Sequence, residues 1–361
     1  MSNFNGITEM KSFFIGKYEI KLPIVQGGMG VGVSLNGLAS AVANEGGVGV
    51  ISAAGLGLLY PGYKGSYSEK CIYGLRQEIR KAREKTYGVI GINIMVALSN
   101  FPDMVRTAVS ENADVIFAGA GLPLDLPGYL TEGSRTQLVP IVSSSRAARL
   151  ICEKWSANYG YLPDAIVVEG PKAGGHLGFK KEQIEDEHYS LEHLIPEVVE
   201  VAGRKNIPVS AAGGIATGED IARFMALGAS AVQMGSIFVP TEECDASVEF
   251  KKVYLNAHRE DIRIIQSPVG MPGRAFDGEF IRNVAEGKEK PRSCPFHCIK
   301  TCDYTKSPYC IIKALYNAAK GNMKKGYAFA GGNAYLSDKI RSVREVVEKL
   351  KTDFFLSKAA F

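Results

Sequence analysis

The sequence predicts an α/β fold, a (β/α)8 TIM barrel carrying a C-terminal helical, cysteine-containing extension. Three observations point there. Eight short Val- and Ile-rich runs without polar alternation occupy the first 240 residues, the pattern of parallel strands covered on both faces. Amphipathic stretches separate them, as crossover helices would. Gly, Asn, Glu, His and Gln gather at the C-terminal ends of five of the runs, the end at which a barrel builds its site. A doubly wound open sheet is the alternative, and it requires a reversal of strand order.

The runs are PIVQGGM (23–29), GVGVIS (47–52), YGVIGINIM (87–95), DVIFAGAG (114–121), LVPIVSS (138–144), DAIVVEG (164–170), IPVSAAGG (207–214) and SAVQMGSIFV (230–239). SLNGLASAVANEG (34–46) reads as a helix with a serine to cap it and a glycine to end it. SEKCIYGLRQEIRKAREK (68–85) sets an apolar stripe under a basic face, and FPDMVRTAVSEN, SRAARLICEKWSANYG, HLIPEVVEVAGRK and TGEDIARFMALGA follow suit. Beyond residue 240 the alternation stops. Helices are expected over 246–261, in ALYNAAKGN and over 337–355. No Ser/Pro/Gly-rich linker intervenes, so the barrel is assigned 1–245 plus 262–285, and 286–361 is an extension packed on it.

With 361 residues, 46% hydrophobic and 22% charged, the chain is globular and not disordered. Forty glycines without a triplet period exclude collagen. The net charge of +4 gives no reason to expect nucleic acid or an anionic membrane. No apolar run reaches the ~18 residues of a membrane span, and MSNFNGITEMKSFF lacks the basic start and apolar run of a leader. The expectation is a cytoplasmic protein. Seven cysteines, an odd number, argue against a disulfide framework.

Chemistry concentrates in the loops after the runs. In Gln26-Gly27-Gly28-Met29-Gly30 the adjacent glycines admit a planar ligand close to the backbone, and Met29 offers a soft surface for a ring; the plainer reading is a tight turn. Asn93 either caps a helix or bonds the polar edge of a heterocycle. Glu169 ends the sixth run, and His176 follows among glycines in EGPKAGGHLG, a setting open enough for a general acid or base. Gly213-Gly214 and Gln233-Met234-Gly235-Ser236 follow the seventh and eighth runs, where barrels cradle a phosphate. Neither GxxxxGK[ST] nor a dinucleotide GxGxxG is present. One phosphate and one ring, as in FMN, fit this cradle better than a pyrophosphate. No G-x-S-x-G elbow marks a serine hydrolase, and Ser143–Ser145 either cap a helix or line the pocket.

As a set, QGGM, GINIM, EGPKAGGHLG, AAGGIATG and QMGS resemble the successive motifs of the nitronate monooxygenase (2-nitropropane dioxygenase) family, related to FMN-dependent enoyl-acyl-carrier-protein reductase II. The resemblance covers roughly residues 15–280. It implies a TIM barrel with non-covalent FMN, held by Gly28, Met29, Asn93, Glu169, Gly174, Gly175, Gly213, Gly214, Gln233, Met234, Gly235 and Ser236. It places the catalytic histidine at His176, as general base toward the proton α to a nitro group, or beside an acyl substrate in a reductase. The expected activity is oxidation of alkyl nitronates, with an NAD(P)H-dependent flavin reductase as the alternative. A small-molecule substrate is expected, with NAD(P)H and a second copy of the chain as further partners. A non-catalytic phosphate-binding barrel, such as a sensor or interaction protein, and a flavin-free inosine-monophosphate-dehydrogenase-like enzyme are weighed against these; the latter needs a loop cysteine after the sixth run, where none lies. One departure is Gly235-Ser236-Ile237-Phe238, where family members often carry Gly-Thr-Arg-Phe.

The other departure is Cys294, Cys298, Cys302 and Cys310 in the tail. The first three fall at i, i+4, i+8, and Pro295 suits a first helical turn, so one helical stripe would present three thiols. Four thiolates suffice for an iron–sulfur cluster or a structural Zn; reduced thiols or a redox pair are the alternatives. His188, His193 and His258 lie in charged stretches and read as solvated. SPVGMPGRAF (267–276) is expected to cover the ligand as a lid.

Overall fold

The computed structural model describes residues 10–359, and side chains to residue 357. Residues 1–9 and 360–361 of the expected ranges, and most of the stretch read as lacking a leader, lie outside the described residues. All eight runs form strands: β1 (Ile24–Gln26), β2 (Gly49–Ser52), β3 (Ile90–Met95), β4 (Val115–Gly119), β5 (Gln137–Val142), β6 (Ile166–Glu169), β7 (Val209–Ala212) and β8 (Ala231–Met234). They pair in parallel in chain order, and β8 returns to β1 with Val232 opposite Ile24. A parallel bridge from Val25 to Val48 joins β1 to the start of β2, so the sheet closes. The barrel reading holds, and the open-sheet alternative falls.

Inward side chains explain the closure. Val25, Val50, Val115, Phe117, Val139 and Val167 form one buried cluster with Phe13, Ile15 and Ile20. The last three belong to a hairpin, Phe13–Ile15 with Tyr18–Ile20, which fills the barrel interior from one end. A larger apolar layer between strands and helices surrounds it.

Most expected helices form: Asn36–Asn44, Tyr67–Lys85, Phe101–Ser110, Ser145–Tyr159, Leu191–Gly203, Gly218–Ala226, Val248–Leu255, Ile311–Ala319 and Val343–Ala359. The first is not capped by Ser34. The carboxylate of Asp245 accepts from the N–H groups of Leu35, Gly37 and Leu38 at 2.7, 3.0 and 3.2 Å, while Ser34 Oγ takes the Met29 N–H at 2.8 Å and fixes the first loop. After β4 a short 3-10 turn, Leu126–Tyr129, stands where a crossover helix would. The last helix, Val343–Ala359, packs against Gly218–Ala226 and Asn36–Asn44, between the seventh and first units of the ring.

The tail does not carry its cysteines on a helix. Residues 291–310 run as turns and loops, with His297 in a left-handed conformation (φ 44°) that no α-helix accommodates. The expected stripe of Cys294, Cys298 and Cys302 is therefore absent as a helix.

Candidate active site

The cavity opens at the C-terminal ends of the strands, and each first-loop residue is fixed by its neighbours. Gln26 is buried, its Oε1 accepting from the Val50 N–H at 2.9 Å. Gly27 N–H donates to the Met234 carbonyl at 2.8 Å, tying the loop after β1 to that after β8. At Gly28 an added Cβ would stand 2.3 Å from Asn93 Cβ, so only glycine lets these two strand ends meet.

Around this floor the structure gathers Gly28, Met29, Asn93, Glu169, Gly174, Gly175, His176, Gly213, Gly214, Gln233, Met234, Gly235 and Ser236, all lining one cavity. The side chains of Asn93, Glu169 and Gln233 line it without a hydrogen-bond or ion-pair partner among the described residues. Polar groups held this way in an apolar, glycine-walled pocket suit a ligand with polar edges. Glu169 is enclosed by protein yet accessible from the cavity, and burial pushes its carboxyl up to about 7. Nitrogen- and hydroxyl-rich FMN fits this donor set, and the glycine-lined loops after β7 and β8 leave backbone open toward the same cavity.

His176 departs from the open loop expected. Gly175–His176 forms a two-residue strand paired with Pro272–Phe276, His176 opposite Gly273. Pro272–Phe276 in turn pairs with Ile262–Gln266, so residues 262–276 make a hairpin over the glycine-rich loop. The imidazole lies 5.0 Å edge-on from the Phe329 ring, and its Nε2 is 2.7 Å from Ser267 Oγ. Burial lowers its pKa to about 4, leaving the ring neutral at pH 7.

Sequence reasoning missed the segment that completes the wall. Phe329, Ala330, Gly331 and Asn333 line the same cavity. Gly331 N–H donates to Ser236 Oγ at 2.9 Å, Asn333 Nδ2 to the Gly214 carbonyl at 2.5 Å, and Gly332 N–H to the Lys172 carbonyl at 2.9 Å. The Gly331-Gly332-Asn333 run, so like the first loop, is the signal that was available. Ser144 caps the helix Ser145–Tyr159, accepting from Ala147 N–H at 3.2 Å, and Ser143–Ser145 do not line the cavity. His188, His193 and His258 lie in polar stretches away from it. Cys294, Cys298, Cys302 and Cys310 are free thiols outside the lining. No helix among the described residues is long and apolar enough to cross a membrane.

The comparisons with known proteins converge. The structure is similar to FabK from Thermotoga maritima, with 28% identity, TM-score 0.73 and 94% of each chain covered. It shares its fold with a nitroalkane oxidase from Streptomyces ansochromogenes at TM-score 0.72 and 23% identity, over 94% of this chain and 98% of that one. A probable nitronate monooxygenase of Staphylococcus aureus is 26% identical over 79% of this chain and 82% of its own. A Mycobacterium tuberculosis protein named (3aS,4S,5R,7aS)-5-hydroxy-7a-methyl-1-oxo-octahydro-1H-indene-4-carboxyl-CoA dehydrogenase is 28% identical over 74% of this chain, which spans 66% of that relative's length. The sequence profile described as nitronate monooxygenase matches residues 11–115 and 99–353. The chain belongs to the nitronate monooxygenase family, a family of flavin-dependent oxidoreductases.

Proposed function

We propose that the chain is an FMN-dependent oxidoreductase that oxidises alkyl nitronates or related carbon acids, with His176 as general base. The observation that carries this reading is a glycine-walled cavity holding unpartnered Asn93, Glu169 and Gln233 beside a neutral imidazole. Bound FMN would supply the electron chemistry. Gly213, Gly214, Gly235 and Ser236 would hold its phosphate, Ser236 keeping a hydroxyl proton to donate while its oxygen accepts from Gly331. Asn93, Glu169 and Gln233 would bond its polar edges, and Met29 would lie against the ring. Where the substrate arrives as the neutral nitroalkane or another carbon acid, the uncharged His176 imidazole would take its α proton and leave the nitronate or carbanion, and the hairpin over it would exclude water.

A second reading is an NAD(P)H-dependent flavin reductase. It draws on the full-length likeness to FabK and on the four tail thiols, read as an iron–sulfur or zinc site. Two assays separate the readings. Oxygen uptake with alkyl nitronate and no pyridine nucleotide supports the first. Rapid anaerobic bleaching of the flavin by NADH or NADPH, without nitronate turnover, replaces it with the second.

A further inference from the structure

The tail thiols converge in space although the chain between them is irregular. The thiols of Cys310, Cys294 and Cys302 all neighbour that of Cys298. Those of Cys294 and Cys310 likewise neighbour Cys302, and Cys294 neighbours Cys310. Every pairing among the four is thus close enough to be felt electrostatically. The chain between them is left-handed at His297 and bends at Pro308 instead of running as a straight helix.

Backbone donors point at these sulfurs. Cys310 is the N-cap residue of the nine-residue helix Ile311–Ala319, so its thiol lies beside the N–H groups of Ile312 and Lys313 in the first turn, without a capping bond. His297 N–H faces Cys294 Sγ at 3.4 Å. Tyr67, in the field of Cys298 and Cys310, and Phe296, 5.2 Å from the Tyr67 ring, wall the site with aromatic surface. All four thiols are free and partly exposed.

We propose that Cys294, Cys298, Cys302 and Cys310 ligate an iron–sulfur cluster. Four thiolates are the common ligand set of such clusters, and N–H···S bonds with partial burial are the features that tune them. A single zinc ion holds its sulfurs about 2.3 Å from itself and so about 3.8 Å apart. No three His, Cys, Asp or Glu among the described residues are gathered closely enough for a single ion, whereas a cluster sets its thiolates wider apart. The site sits one layer from the flavin cavity. The Cys298 carbonyl accepts from Ser99 N–H at 3.1 Å, and Ile299 bridges to Leu98, in the loop that follows cavity-lining Asn93 and Met95. On the other side, Leu315 of the helix begun at Cys310 lines the cavity itself.

The proposal deepens the metal–thiolate part of the second reading above, and its test reads metal and sulfide content, not turnover. Its test is analysis of the full chain purified without oxygen and reconstituted with ferrous iron and sulfide. Iron, acid-labile sulfide, zinc and released flavin are measured on one sample. Iron and sulfide should match, at about two or four of each per chain, with an electron paramagnetic resonance signal on dithionite reduction. Cys298→Ser and Cys302→Ser should lower iron and sulfide roughly tenfold or more and keep the parental flavin content. Cys152→Ser, in the helix Ser145–Tyr159, should keep both. Zinc near one per chain without sulfide overturns the proposal, as does parent protein that takes up no iron. Iron and sulfide without flavin would instead strike the FMN reading and leave the cluster standing.

Discussion

His176 Nε2 lies 2.7 Å from Ser267 Oγ, so the cavity's imidazole is held by a hydroxyl from the hairpin that covers it. Ser267 is itself buried, and its oxygen also receives the Val269 N–H at 3.3 Å, which fixes the hydroxyl in place. Phe329 meets the ring edge-on and limits its tilt. An aromatic wall and one hydroxyl therefore set the ring's orientation together.

For His176→Ala we predict retained flavin and turnover of a neutral nitroalkane or other carbon acid lower by about 10²–10⁴-fold, the usual contribution of a positioned base. Ser267→Ala leaves the ring in place but unheld. Its expected effect is about a tenfold lower kcat, with flavin content unchanged, since a general base acts only within hydrogen-bond reach. Ser267→Thr should restore most of the loss. Burial lowers the His176 pKa to about 4, below the ordinary 6.5, so the acid limb of the rate profile should fall near pH 4. A limb at pH 6.5 in the parent would show the ring to be solvated in the working enzyme.

Glu169 predicts how cofactor affinity depends on pH. Burial pushes its carboxyl from 4.5 up to about 7, so the free protein holds that proton below pH 7. Ribityl hydroxyls donated to the carboxylate favour its ionised form, so binding releases the proton. Affinity of the apoprotein for FMN should then weaken as pH falls below about 7 and level off above it. Flavin fluorescence quenching between about pH 5 and 8 reads this directly. The phosphate of FMN titrates in the same interval, so the parent is compared with Glu169→Gln, which should show the shallower slope. Equal slopes would remove Glu169 from the cofactor site.

The tail's part in the cradle is tested by Asn333→Ala. Its Nδ2 donates to the Gly214 carbonyl at 2.5 Å, across 119 residues of chain. Losing one such bond costs about 0.5–1.5 kcal/mol, which corresponds to FMN affinity weaker by up to about tenfold. Isothermal titration of the apoprotein measures it. Unchanged affinity, with the parental melting temperature, would leave Asn333 as packing alone.

What the sequence made legible follows from how local each signal is. The strands announce themselves because a parallel strand covered on both faces has no polar alternation, and β3 and β6 read clearly for that reason. Gly28, Gly213 and Gly214 mark the cavity because close approach or a left-handed backbone excludes a Cβ there, whereas Gly27 has room for one. The cap from Asp245 onto Leu35, Gly37 and Leu38 spans some 210 residues, and a nearby serine offered a local answer that was wrong. The same holds for Gly331 and Asn333, whose partners lie on β7 and β8 loops. Spacing at 294, 298 and 302 suggested a helix, but spacing alone carries no weight against the left-handed His297. The thiols still converge, because loops with fixed turns can bring together what periodicity alone would align.

Gly218 carries the last prediction, which concerns the ring of helices. It opens the helix Gly218–Ala226, with Thr217 Oγ1 capping the Asp220 N–H at 3.1 Å. A Cβ at position 218 would stand 2.1 Å from the Phe354 N and 2.2 Å from the Leu350 carbonyl. Both neighbours are backbone of the helix Val343–Ala359 and cannot swing aside, so that helix must shift bodily. Val343, Val347 and Leu350, buried on its inner face, then lose packing. For Gly218→Val the expected cost is about 1–3 kcal/mol, the range for overpacking in a close-packed interior. Thermal unfolding should fall by several degrees, and limited proteolysis should begin within 343–359. Gly218→Ala should show the same cleavage with a smaller thermal loss. A parental melting curve and no new cleavage in the valine variant would mean that the final helix does not dock between the seventh and first units.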